Sequence, residues 1–355
     1  MLKKLFIGLA ILCAAVGLAA CGSSGSTGTS EESNGGSSGG TEGSASGGES
    51  AEDALIQVIN PLPNVFVDAN NKGAETAAQE LGLKNLQITQ SAGDAAKEIA
   101  NVNDAVTKGA KAIIINPVSS EGVTPAIEAA NEAGVCTIIA YSELANASSP
   151  NAVPPGSKAF IGWDEEEGGE RVGRALAEAM GGKGGVVIIQ GLGTDAAGQL
   201  REGGARKVWE KEFPEIKVLS AQPADFDPEK AQTVMQNFIQ SYGDEIGGVL
   251  ALGDQMGSAA ATVIEESDLA GKVKVGGFGA EHEFVEHIAN GSATATVPFA
   301  PIEDYERAVK LAAECIEGNK EPVRASSRDL PGVKVLKQDG YIVTDEDVKQ
   351  WKPQW

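Results

Sequence analysis

The sequence is that of an α/β protein built as two doubly wound parallel-sheet lobes. Short, continuously apolar runs recur along the chain, stretches of helical period separate them, and the second half echoes the first. Apolar runs without alternation are strands covered on both faces, which is the habit of parallel sheets wrapped by helices. At roughly 100–200 residues per domain, 355 residues suit about two such bodies.

The elements follow in order. Leu55–Ile59 is a strand, and Ala74, Ala77, Ala78 and Leu81 mark the buried face of a helix. Ala95, Ile99, Val102 and Val106 mark a second helix before the short strand Ile113–Ile115. Val123, Ile127 and Ala130 give a third helix, then Thr137–Ile139 a strand. Later strands are Val186–Ile189, Ile216–Leu219, Val249–Leu252, Val273–Gly277 and Ala293–Val297, with helices between them. The unit from Ile113 to Ile139 matches the one from Val249 to Gly277 in length and kind.

Ahead of this body lies an address. Lys3 and Lys4 precede an apolar run from Leu5 to Ala20, too short for a permanent span but suited to a secretory signal over residues 1–20. Leu18-Ala19-Ala20-Cys21 is similar to the lipobox of bacterial lipoproteins, which implies a lipid on Cys21. Two acyl chains would give stable attachment. Residues 21–52, rich in Gly, Ser, Thr and Glu, bury too little apolar surface to fold and read as a tether. In the body, Cys136 and Cys315 sit in apolar stretches and are expected as buried free thiols, with a disulfide between them the lesser alternative.

Charge and motif content remove several functions. With 50 acidic against 28 basic residues and a net charge of −22, the surface repels phosphate backbones, so no nucleic-acid role is expected. His282 and His287 lie five apart, about 140° around a helix, so they do not share a metal and mark a solvated helix start. Gly191–Gly198 follows a strand but misses the dinucleotide spacing, and its glycines suit close backbone approach. Glu165-Glu166-Glu167 is an acidic first turn that complements a helix dipole. No enzyme, no cofactor and no metal site are expected.

Doubly wound sheets bind ligands beyond the carboxyl ends of their strands. Those ends carry Asn60 to Phe66, Asn116, Tyr141, Ser142, Trp163, Asp164 and Gln190 in the first half. In the second half they carry Phe226, Asp254, Gln255, Phe278, Gly279 and Phe299. Only 5% of the chain is aromatic, yet many of its rings fall at these tips.

Several segments over about residues 54–345 resemble the periplasmic sugar-binding family, in its ribose-binding branch. Asn64-Val65-Phe66-Val67, Glu98-Ile99-Ala100-Asn101-Val102-Asn103-Asp104, Ile115-Asn116-Pro117 and Gln222-Pro223-Ala224-Asp225-Phe226-Asp227 carry the likeness. The resemblance implies two lobes joined by three hinge strands, here 53–162 with 300–335 and 163–299 with 336–355. It also implies closure on a sugar and delivery to an ABC permease and its ATPase. By resemblance, Asn64 binds hydroxyls, Phe66 and Phe226 stack on the sugar ring, and Arg201 holds ligand oxygens.

Other positions depart from the ribose binders. Val67 replaces a stacking Phe, Tyr141-Ser142 replaces an Asp-Arg pair, and Gly253, Gly279 and Phe299 replace polar residues. A lining that has lost hydroxyl partners, with two glycines enlarging it, implies a ligand other than free ribose: larger, less hydroxylated, or both. A deoxysugar, a glycoside or a nucleoside-like molecule fits that description. The expected candidates are Asn64, Phe66, Tyr141, Ser142, Trp163, Asp164, Arg201, Phe226, Asp254, Gln255, Gly279 and Phe299. A monomer lipid-anchored on the extracytoplasmic face of the cell membrane is expected, and a sensory or quorum-signal receptor on the same fold is the alternative.

Overall fold

The computed structural model describes residues 50–149, 151–333 and 341–355. The leader, Cys21 and most of the tether therefore lie outside the described residues. Packing begins at Ala51, which is buried, slightly inside the expected tether.

The first lobe is laid down by β1 (Ile56–Asn60), α1 (Val65–Leu81), β2 (Leu86–Gln90), α2 (Ala95–Thr107), β3 (Ala112–Ile115), α3 (Ser120–Glu132), β4 (Cys136–Ala140) and β5 (Ala159–Gly162). The second follows with α4 (Glu165–Ala179), β6 (Lys183–Gln190), α5 (Ala196–Glu212), β7 (Glu215–Pro223), α6 (Pro228–Tyr242), β8 (Ile246–Ala251), α7 (Asp254–Glu265), β9 (Lys274–Gly279), α8 (His282–Asn290) and β10 (Ala295–Pro298). The chain then returns to the first lobe through α9 (Pro301–Ile316) and β11 (Val323–Ser326).

All strand pairs in both sheets are parallel, in the orders β11-β5-β4-β3-β1-β2 and β10-β9-β8-β6-β7. From β2 through β5 and from β7 through β10 the two orders are the same, so the echo between residues 113–139 and 249–277 is one topology used twice. The apolar runs explain the layering. Ile56, Val58, Ile114 and Ile138 face α1 and α9, while Leu55, Ile59, Ile113, Ile115 and Ile139 face α2 and α3. The polar edge strand β2 and the short β5 and β11 lack a long apolar run, so periodicity does not reveal them.

The chain passes between lobes at 163–164 and at 299–300. It passes again after Asp329, where Val343 bridges antiparallel to Thr296; part of that third passage lies outside the described residues.

The thiol expectation is corrected here: Cys136 and Cys315 form a disulfide joining β4 to α9. The two are 179 residues apart in sequence, and only the return of α9 onto β4 brings them together. The reading of both histidines as solvated is corrected too. His282 is exposed, but His287 is buried with Nδ1 2.8 Å from Ser292 Oγ.

Candidate functional site

The order reverses between β1 and β3 in one sheet and between β6 and β8 in the other, and the carboxyl ends of both sheets face one cavity. The cavity has a volume of about 80 Å³. One water needs roughly 10–15 Å³ of such space, so about six waters fit.

From the first lobe, Asn64, Phe66, Asn116, Tyr141 and Ser142 line it. Asn64 caps α1, its Oδ1 accepting from Val67 N at 2.9 Å, and this fixes the entry to the helix that carries Phe66. From the second lobe come Asp195, Arg201, Phe226, Asp254, Gln255, Phe278 and Phe299. Tyr141 and Phe226 both adopt left-handed backbone, φ 60° and 57°. A bulky residue held there costs about 1–3 kcal/mol, and such strain concentrates where a side chain must be aimed. The Phe226 ring occupies the space that Cβ atoms would need at Gly191 and Gly253, where they would come within 2.2 Å and 3.1 Å of it.

Each charged side chain of the lining is satisfied inside the protein. Arg201 donates through Nε and Nη2 to both oxygens of Glu165, at 2.7 and 3.0 Å, and through Nη1 to Leu252 O at 2.8 Å. Its guanidinium lies between the rings of Phe278 and Phe299, 5.2 and 5.0 Å from their centres. Burial pushes the Glu165 carboxyl above its ordinary range, and Arg201 opposes that rise. Asp254 accepts from Thr296 Oγ1 at 2.9 Å and from Glu281 N at 3.2 Å. Burial, helped by the nearby Glu281, lifts its carboxyl well above the ordinary value. Asp195 caps α5 and accepts from Ser142 Oγ across the cleft. A second cross-cleft bond runs from Thr194 Oγ1 to Val118 O at 2.8 Å.

Three expected residues stand off the cavity. Trp163 is buried behind Phe299, with ring centres 6.2 Å apart, and Asp164 caps α4 by accepting from Glu167 N. Gly279 opens no extra room, because the Trp355 ring fills the space beside it: a Cβ there would lie 2.6 Å from Trp355 Cζ2. With Phe226 against Gly253, neither glycine enlarges the pocket, which corrects the expectation of a larger ligand.

Sequence reasoning did not reach Leu192, Asp195, Ala197 or Trp355, all in the lining. The glycine-rich turn at 191–198 was a usable signal for the first three. Trp355 offered none, since it follows no strand of the repeating pattern.

Two similar lobes that meet in a lined cavity at their topological switch points define a two-lobed solute-binding protein. Residues 56–320 match the model of the family described as periplasmic binding protein domain, and the chain belongs to that family. It is 31% identical over 272 residues to the ribose import binding protein of Haemophilus influenzae, covering 76% of this chain and 88% of that one. It is 32% identical over 271 residues to the corresponding protein of Salmonella typhimurium, covering 76% and 87%. A solved solute-binding protein from Actinobacillus succinogenes with bound D-allose superposes with a TM-score of 0.68 at 28% identity, covering 84% of this chain and all of that one.

Proposed function

We propose that this chain captures a small, uncharged sugar or sugar-like molecule other than free ribose and presents it to an ABC permease and its ATPase. In this reading it acts as a monomer, without turnover, as a clamshell of residues 53–162 with 300–335 and 163–299 with 336–355. A lipid on Cys21 ties it to the extracytoplasmic face of the cell membrane.

One observation carries the ligand class. Asp195, Arg201 and Asp254 are the charged residues of the lining, and each already has partners in the protein. An ionic ligand would meet no free counter-charge, whereas a neutral one can use the N–H groups that Arg201 keeps. Rings from both lobes suit the C–H faces of a sugar. Relatives named for ribose, and a solved relative holding D-allose, support the same class.

A thermal-shift panel tests this with D-ribose, 2-deoxy-D-ribose, D-allose, methyl glycosides, a nucleoside and ribose 5-phosphate. At a hundred times its dissociation constant, a bound neutral member adds about 2.7 kcal/mol of apparent stability. Ribose at millimolar concentration is expected to leave the melting temperature unchanged, and a clear upshift with it overturns the exclusion. Tighter binding of the phosphate than of neutral sugars overturns the uncharged class. For the anchor, Cys21→Ser is expected to move the protein from membrane to soluble fractions; retention on membranes counts against lipidation.

A further inference from the structure

The cleft contains a residue that belongs to neither repeat. Trp355 lies in the segment 341–355, yet its ring lines the cavity and meets Phe66 of the first lobe edge-on, centres 5.1 Å apart. The segment is tied at several points. Trp351 Nε1 donates to Ala280 O at 2.8 Å, Trp355 O accepts from His282 N at 2.9 Å, and Gln354 Oε1 accepts from Ile302 N at 3.1 Å. Those partners lie in different lobes, the first two around the start of α8 and the third at the start of α9. Gly279 makes the seat for the ring, because any side chain there would overlap it.

The indole is half-buried, with its ring against Gly279 and Phe66. Its Nε1 is buried without a hydrogen-bond partner, and so is Gln255 Nε2 in the same lining. Buried donors in native proteins are paired in the great majority of cases, so two orphans around one cavity point to an acceptor brought by a guest. The site therefore asks for a ligand with hydroxyl or ether oxygens and a face that can lie against aromatic rings.

We infer that Trp355 is a ligand-contacting residue, donating from Nε1 to an oxygen of the bound sugar-like molecule while its ring closes the wall beside Gly279. This rests on the sugar reading of the cleft. Because the same segment bonds to both lobes, occupancy of the cleft and docking of the segment reinforce one another.

The test uses the full chain and the neutral sugars of the panel, by calorimetry and by indole emission. Trp355→Phe keeps a ring and removes the donor, and is expected to bind five- to tenfold more weakly than wild type. Trp355→Ala is expected to lose more than thirtyfold; should it fail to fold, the Phe variant decides alone. The emission change on binding should vanish in Trp355→Phe and persist in Trp209→Phe, whose indole is buried in the second lobe and donates to Gly173 O. Wild-type binding that Trp355→Phe matches within twofold, emission change intact, overturns this assignment alone. Tighter binding by Trp355→Ala would make the ring a plug and also overturn it. If wild type binds none of the sugars, the sugar reading falls and the assignment falls with it.

Discussion

The two lobes share one strand order but are held together by different means. In the first, the disulfide between Cys136 and Cys315 staples β4 to α9, and a buried polar network surrounds Asp304, which accepts from Tyr141 and Ser327. In the second, α4 and α5 approach so closely that a Cβ at Gly169 would lie 2.1 Å from Arg201 O, and one at Gly204 2.0 Å from Glu166 O. That approach sets the buried pair Arg201–Glu165 at the cavity, with Arg201 in the lining and Glu165 behind it. The contrast separates topology from stabilisation. A sheet order can be repeated while its staple changes from a covalent bond at the amino end of β4, away from the cleft, to an ion pair at the cavity lining.

The largest expected effect comes from breaking the second lobe's staple. Arg201→Met leaves Glu165 buried without its counter-charge, and such a loss costs about 3–5 kcal/mol. Adding Glu165→Met should recover much of that stability, since a well-packed apolar pair often replaces a buried ion pair at little cost. Denaturant unfolding of the single and double variants measures both. A single variant within about 1 kcal/mol of wild type would show that the pair does not hold the lobe.

The first lobe's staple comes next. Removing it as Cys136→Ala with Cys315→Ala is expected to cost about 2–4 kcal/mol, because the bond constrains a long loop in the unfolded chain. Reducing agent should have the same direction of effect on wild type and none on the double variant. An unchanged melting temperature in both would remove the asymmetry between the lobes.

How much of this was legible in the sequence depends on where the signal sits. The central strands and their order of use were readable because burial on both faces demands uninterrupted runs such as Ile113–Ile115. The tips were readable for a similar reason: Phe66, Tyr141 and Phe299 are rings that follow covered strands, and Phe226 follows the edge strand β7. What a side chain touches was not readable. Arg201 and Asp254 look like free ligand-binding charges in sequence, yet their partners Glu165 and Thr296 stand 36 and 42 residues away. The disulfide and Trp355 were hidden for the same reason, since each depends on a distant segment folding back.

The last effect concerns protons rather than staples. Burial pushes the carboxyls of Asp304 and Glu98 in the first lobe, and of Glu281 in the second, up to about 7. The folded protein therefore holds protons that the unfolded chain has released between about pH 4 and pH 7. Stability from these groups is full at low pH and falls as pH rises through about 7. The melting temperature is expected to be higher at pH 5.5 than at pH 8. Asp304→Asn, which cannot ionise, should shrink that difference, leaving the other buried carboxyls, Glu98, Glu281, Glu165 and Asp254 among them, to supply the remainder. A difference of the same size in the Asn variant would show that Asp304 keeps no proton in the fold.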